Sequence, residues 1–153
     1  MKMKHLKGIA LAAAAVVGLA ACGGSSSSSD TTAAAGGDYS NLKVAVVYIG
    51  VPGDAGYTYQ HDQGIAALEA ELGITVTRLE NIPEGAESAA TFDQLAAEGY
   101  NLIFGTSFGY MDPMLEVSAK YPEVCFEHAT GYKTSTNLGT YFGAAEEARY
   151  LSG

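Results

Sequence analysis

Short apolar runs alternate with longer segments of helical periodicity over most of this chain. Residues 43–49 (Lys-Val-Ala-Val-Val-Tyr-Ile) are rich in β-branched side chains and show no polar alternation, which predicts a strand buried on both faces, as in a parallel sheet. The next periodic segment predicts a helix over 57–72, with Gly73 as its stop. Similar patterns predict further strands at 74–79, 101–104, 124–127 and 138–142, and further helices at 84–98, 113–121 and from 144 onward.

This alternation predicts an α/β fold with a doubly wound, mostly parallel sheet, because the helices that connect neighbouring parallel strands cross over with one hand. Ligands of such sheets bind beyond the carboxyl ends of the strands. The sequence therefore places candidate ligand-binding residues in the loops at that edge, which are 50–56, 81–85, 105–110 and 128–136.

Two single residues add local expectations. Asp112 precedes Pro113 and is predicted to cap the third helix, since aspartate favours the N-cap and proline the first helical position. Cys125 lies in the apolar run 124–126 and is expected to be a buried structural thiol.

The first 38 residues follow a different pattern. Residues 1–7 carry three lysines and no acidic residue, and the small apolar run 8–19 is too short for a bilayer, which needs about 20 residues. The run ends in Leu-Ala-Ala-Cys, which resembles the lipobox of bacterial lipoproteins. We therefore predict a signal peptide at 1–21, a lipidated Cys22 that begins a flexible serine-rich tether at 22–38, and a folded part at 39–153.

Charge and composition narrow the function classes. The formal net charge is −9, and it becomes −12 without residues 1–21. Such a chain repels phosphate backbones, which argues against nucleic-acid binding. His61 and His128 lack the spacing of zinc ligands, and no Gly-x-x-x-x-Gly-Lys phosphate loop is present. The sequence therefore predicts no metal and no cofactor.

Three segments resemble one protein family. Residues 44–57 (Val-Ala-Val-Val-Tyr-Ile-Gly-Val-Pro-Gly-Asp-Ala-Gly-Tyr), with His-Asp-Gln-Gly at 61–64, resemble the start of the basic-membrane-protein family. Residues 102–113 and 126–132 (Phe-Glu-His-Ala-Thr-Gly-Tyr) resemble the same family and are more distinctive. Its members are lipid-anchored substrate-binding proteins of ABC importers and include a purine nucleoside receptor. The resemblance extends over about residues 42–153.

The resemblance implies a type I periplasmic-binding fold, in which two α/β lobes clamp a small ligand and close about a hinge. It implies that residues 39–153 are an incomplete N-terminal lobe, which alone would bind its ligand weakly. It also implies an extracytoplasmic, lipid-anchored protein that is not an enzyme, with a purine nucleoside or nucleobase as ligand and an ABC permease as partner. A lipid-anchored ligand sensor of the same fold is an open alternative.

Several roles in the first loop follow from the same resemblance. Asp54 is expected to accept hydrogen bonds from the ligand, Tyr57 to stack on its base and Thr58 to add a polar contact. Tyr59 is a second candidate for the stacking role. A purely structural role for Asp54, in a turn or at a helix start, also stays open.

The third loop places two more candidates before a predicted helix N-terminus, where free N–H groups can meet ligand oxygens. Ser107 and Phe108 are the expected ligand contacts there. Ser107 also fits the letters of the G-x-S-x-G motif of serine hydrolases, but the motif requires a later acid and histidine, and His128 follows after a single strand. A serine hydrolase is therefore a minor alternative. Glu127 and His128 are open to either a ligand-binding or a structural role.

Overall fold

The computed structural model describes residues 37–143 and Tyr150. The predicted signal peptide, Cys22, nearly all of the tether and the predicted helix from 144 onward lie outside the described residues, apart from Tyr150. Within the described part, no helix is long and apolar enough to cross a bilayer.

Five parallel strands form one sheet in the order β2-β1-β3-β4-β5. The strands are β1 (Val44–Val47), β2 (Val76–Leu79), β3 (Leu102–Gly105), β4 (Cys125–Ala129) and β5 (Leu138–Tyr141). The helices are α1 (Tyr57–Leu72), α2 (Ala86–Ala97) and α3 (Met111–Lys120), with short 3₁₀ turns at Pro52–Asp54 and Phe108–Tyr110. The predicted α/β class with a parallel, doubly wound sheet is confirmed.

Helices cover both faces of the sheet. Ile65 of α1 packs on one face against a cluster that includes Val44, Val46 and Val76. Helices α2 and α3 pack on the opposite face, where Phe92 and Met114 join a larger cluster. All four residues of β1 are buried, because this strand lies inside the sheet and is covered on both sides. The uninterrupted apolar run that predicted such a strand is thereby explained.

Helix α1 begins and ends where the sequence predicts. Its C-terminus is closed by Gly73, which has a φ of 66° and donates its N–H to the Glu69 carbonyl at 2.9 Å. A side chain is strained in this left-handed conformation, and glycine is not. The stop signal that is visible in the sequence is therefore a backbone requirement of the fold.

The prediction that Asp112 caps the third helix is wrong. The 3₁₀ turn at Phe108–Tyr110 continues directly into α3, so the helix begins at Met111 and Asp112 lies within its first turn. No side chain caps this helix, and the Asp112 carboxylate instead pairs with Lys133 at 2.5 Å.

The prediction that Cys125 is buried is also wrong, because its thiol is exposed. Cys125 is the first residue of β4 and lies in register with Leu102 on the α1 side of the sheet. The cluster beneath α1 includes residues of β1, β2 and β3 but none of β4. An apolar run thus contains a residue that no described helix covers.

An ion-pair network joins α1 to the outer strand β2. The Arg78 guanidinium contacts Asp62 at 2.6 Å and Glu69 at 2.9 Å, and the Glu69 carboxylate also accepts the Val76 N–H at 2.7 Å. Tyr48 donates its hydroxyl to Asp62 at 3.0 Å. The hydrogen bonds from Arg78 and from the Val76 N–H lower the pKa of Glu69 to about 2, with Arg78 as the larger cause.

We expect Glu69→Gln to lower the free energy of unfolding by about 0.5–1 kcal/mol near neutral pH, the range of a partly exposed ion pair. Because the pKa of Glu69 is lowered in the folded state, its contribution is complete above the ordinary carboxyl pKa and is lost as the pH falls towards about 2. Urea unfolding at pH 7 and pH 3 measures both effects. Glu71→Gln, an exposed site on the same helix, is the control, and an equal effect at the two positions would contradict the assignment.

Candidate ligand-binding site

The carboxyl edge of the sheet exposes an unusual set of large apolar side chains. Within residues 37–143, every large apolar side chain that is exposed lies close to the carboxyl end of a strand, and the set is Ile49, Val51, Tyr57, Tyr59, Phe108, Tyr132, Tyr141 and Phe142. A cluster of exposed apolar groups commonly marks a binding site. In a doubly wound sheet this is also the edge where ligands bind, next to the position at which the strand order reverses. Here that position lies between β1 and β3.

Asp54 organises the first loop. Its carboxylate accepts the backbone N–H groups of Gly56 at 2.9 Å, Thr58 at 2.9 Å and Tyr59 at 3.0 Å. These bonds supply acceptors to N–H groups at the start of α1 that have no partner within the helix. They also lower the pKa of Asp54 to about 2. The side chain is exposed and thus holds the helix start while it faces the edge.

A row of rings extends from α1 to the last strand. Tyr57 contacts His61 edge to face, with ring centroids 4.6 Å apart, and His61 contacts Tyr141 in the same manner at 6.1 Å. Burial raises the pKa of Tyr57 and lowers that of His61. An apolar cavity of about 270 Å³ lies beside this row and is lined by His61, Thr106 and Tyr141 among others. The row therefore presents uncharged aromatic surface.

The third loop is held by a carboxylate from the second loop. Glu84 accepts the Ser107 hydroxyl at 2.6 Å and the Gly109 N–H at 2.9 Å. Phe108 lies between these two residues and exposes 56% of its side chain. Its ring centroid is 6.4 Å from that of Tyr132 in the fourth loop, with the two planes tilted by 43°.

His128 has a structural environment. It is fully buried, and its Nε2 lies 2.6 Å from the Ser107 carbonyl oxygen. Because a carbonyl oxygen only accepts, Nε2 carries the proton. Burial lowers the pKa of His128, which favours the neutral ring with a bare Nδ1.

The geometry argues against a serine hydrolase. His128 binds the carbonyl oxygen of Ser107, whereas a general base must reach the hydroxyl. The Ser107 hydroxyl instead donates directly to Glu84. The G-x-S-x-G letters at 105–109 therefore do not correspond to a triad.

The structure brings the predicted site residues to one edge but exposes them unequally. Asp54, Tyr57 and Phe108 are exposed, whereas Thr58 and Ser107 retain only 2% and 7% of their exposure. The direct contact of these five residues with a ligand stays a prediction.

The sequence did not single out Glu84, Tyr132 or Tyr141 as candidate site residues. Glu84 and Tyr132 lie in loops that the sequence placed at this edge, so a carboxylate and an aromatic ring in those loops were the available signals.

Among the described residues, no group of three or more His, Cys, Asp or Glu side chains could hold a metal ion.

One family model and two curated relatives match the folded part of the chain. A family model described as ABC transporter substrate-binding protein PnrA-like (Bmp) matches residues 41–153. A purine-binding protein of Brucella abortus is 51% identical over 114 residues, which are 73% of this chain and 33% of that protein. A candidate ABC transporter glucose-binding protein of Haloferax volcanii is 41% identical over 112 residues, 73% of this chain and 29% of that protein. The chain thus spans about a third of the length of these relatives.

Solved structures share the fold. A solute-binding protein of an ABC transporter system from Aeropyrum pernix K1 superposes with a TM-score of 0.64 and is 23% identical. The match covers 72% of this chain and 31% of that protein. A solute-binding protein from Conexibacter woesei superposes with a TM-score of 0.58 and is 21% identical. That match covers 66% of this chain and 35% of the other protein. At identities this low, these similarities establish the α/β fold of the lobe and nothing about its function.

We expect Asp54→Ala to lower the melting temperature, because it removes the acceptor for three N–H groups at the start of α1. Asp54→Asn should recover only part of the loss, since its amide oxygen can replace Oδ1, which accepts the Gly56 and Tyr59 N–H groups, but its NH2 group cannot accept the Thr58 N–H. In the native protein this contribution is present above the ordinary aspartate pKa and is lost as the pH falls towards about 2. Thermal melts followed by circular dichroism at pH 7 and pH 3 measure it. Equal melting temperatures for Asp54→Ala and the native protein at pH 7 would contradict the capping role.

Proposed function

The chain belongs to the family of PnrA-like ABC transporter substrate-binding proteins, and we propose from this premise that it captures a purine nucleoside or nucleobase for an ABC permease. The family consists of transporter binding proteins and not of enzymes. The proposed ligand site is the carboxyl edge of the sheet. The observation that carries the proposal is the set of exposed aromatic rings at that edge.

A purine presents two flat faces, and the exposed rings are suited to them. Tyr57 and Phe108 are each about half exposed, at 45% and 56%, and belong to neither apolar core cluster. Stacking of a base on an aromatic side chain contributes about 1–3 kcal/mol. We assign the stacking role to Tyr57 and Phe108, with Tyr132 beside Phe108.

Polar groups around the rings would orient the ligand. In this proposal Asp54 accepts hydrogen bonds from ligand hydroxyl or N–H groups, because its carboxylate is ionised and exposed. Thr58 and Ser107 are the remaining polar groups of the proposed site: each is next in sequence to one of the two rings, and they are 2% and 7% exposed. A site with a few convergent polar groups among aromatic ones is the usual form of a small-molecule pocket.

The relatives favour a purine but also name a second ligand class. The more similar of the two curated relatives described above is called a purine-binding protein, and the other a candidate glucose-binding protein. A sugar is therefore the second candidate. Aromatic rings stack on both, so the distinction must come from a binding measurement.

We also propose that the protein is held on the extracytoplasmic side of a cell membrane by a lipid on Cys22. The support is the sequence alone: a basic start, a short apolar run, Leu-Ala-Ala-Cys at 19–22 and a serine-rich tether. A tether at 22–38 would let the folded part stand off the membrane surface.

The ligand proposal predicts that a purine binds and that Tyr57→Ala and Phe108→Ala each weaken binding by about 1–3 kcal/mol. Calorimetric titration with adenosine, guanosine, adenine and glucose tests it. Because the chain spans a third of its relatives, the titration is also made with the Brucella relative carrying residues 41–153 in place of its aligned segment.

The matched control is Tyr39→Ala, which removes a tyrosine near the opposite edge of the sheet. Tyr59→Ala tests the competing stacking residue. If glucose binds and no purine does, the assigned ligand is a sugar and not a purine. Unchanged purine affinity in both the Tyr57 and Phe108 variants would move the site elsewhere.

The anchoring proposal predicts that Cys22→Ser abolishes incorporation of labelled palmitate and releases the protein from membranes. The exposed Cys125 provides the control, because Cys125→Ser should leave lipid labelling unchanged. A Cys22→Ser variant that still carries the label would refute lipid anchoring at this residue.

A further inference from the structure

We propose that Glu84 and His128 are positioning residues of the ligand site: they hold segment 107–109 from two sides and thereby fix the Phe108 ring beside Tyr132. The inference rests on the proposed function, in which Phe108 stacks on the ligand. Neither residue needs to touch the ligand.

Glu84 holds the segment from the second loop. One carboxylate oxygen, Oε1, accepts both the Ser107 hydroxyl and the Gly109 N–H, at 2.6 and 2.9 Å. Phe108 is therefore flanked on each side by a residue bonded to the same oxygen. The approach is so close that a Cβ atom at Gly109 would lie 2.1 Å from the Glu84 carboxyl carbon. A larger residue at 109 would therefore displace the Glu84 carboxylate from this contact.

His128 holds the segment from the buried interior of the fold. Its protonated Nε2 donates to the Ser107 carbonyl at 2.6 Å, so hydrogen bonds fix Ser107 through its side chain and its backbone. A fully buried ring cannot shift without disturbing the core around it.

The same ring also sets the fourth loop. Nδ1 of His128 is buried without a hydrogen-bond partner among the described residues, and a Cβ atom at Gly131 would lie 1.9 Å from it. The backbone at Gly131 therefore passes directly against the imidazole, one residue before Tyr132. His128 thus contacts the loops of both rings in the Phe108–Tyr132 pair.

The need for such a device follows from exposure. Phe108 and Tyr132 are 56% and 72% exposed, so core packing does not fix their position. An aromatic ring that is already in place loses less conformational entropy when a ligand binds. The hydrogen bonds of Glu84 and His128 supply the order that packing does not.

The experiment measures the position of segment 107–109 in the absence of ligand and, separately, the affinity for adenosine. Four variants of the full chain are compared: Glu84→Ala, Glu84→Gln, His128→Leu and His128→Gln. Glutamine at 84 keeps an acceptor, and glutamine at 128 keeps an N–H donor. Glu80→Ala, an exposed acidic residue just before the same loop, is the matched control. Circular dichroism confirms folding of each variant.

Two NMR signals report the position of the segment: amide hydrogen exchange of Gly109 and the nuclear Overhauser effect between the Phe108 and Tyr132 rings. We expect Glu84→Ala to accelerate Gly109 exchange by about tenfold or more, as for loss of a hydrogen bond to a charged group. Glu84→Ala and His128→Leu should both weaken the ring-to-ring signal. The two glutamine variants should restore these signals towards native values, and adenosine affinity should fall and recover in parallel.

Unchanged Gly109 exchange in Glu84→Ala, together with an unchanged ring-to-ring signal in Glu84→Ala and His128→Leu, would overturn the inference, as would native adenosine affinity in a variant whose rings have separated. If His128→Leu does not fold, the Glu84 pair decides. Absence of purine binding by the chimera of the Brucella relative that carries residues 41–153 would overturn the proposed function instead, and the two NMR signals, which need no ligand, still decide whether Glu84 and His128 position the rings.

Discussion

Burial of strand β1 on both faces is the constraint on which the remaining structure depends. All four of its residues are buried, and its neighbours β2 and β3 lie on either side of it in parallel register. The crossovers from β1 to β2 and from β2 to β3 run in opposite directions along the sheet, and because both are right-handed their helices cover opposite faces. The chain leaves β1 towards β2 by α1 on one face and returns to β3 by α2 on the other. The crevice between the first and third loops is a consequence of that reversal.

The polar interactions divide between two tasks. Arg78, with Asp62 and Glu69, fastens α1 to the outer strand β2. Asp54 and Glu84 act at the carboxyl edge and bind backbone N–H groups of the loops themselves. Carboxylates used in this way order loops that contribute little to the core. This use is suited to an edge whose exposed rings require support from hydrogen bonds.

Much of the fold could be predicted from the sequence because its signals are local. Apolar runs of parallel-strand length, helical periodicity and the glycine at 73 each act within a few residues, and α1 has the predicted bounds. The predictions failed where the deciding partner is distant. Asp112 pairs with Lys133, 21 residues away, and Cys125 is exposed because the cluster beneath α1 does not extend to β4.

The sequence by itself determined the α/β class, the edge that carries the candidate site and the aromatic residues Tyr57 and Phe108 at that edge, because periodicity and loop position are properties of the chain. Only the tertiary structure decided how these residues are held. Glu84 lies 23 residues from Ser107, and His128 lies 21 residues from it. No local pattern encodes such pairs, since they meet only when parallel strands bring their carboxyl ends to the same edge.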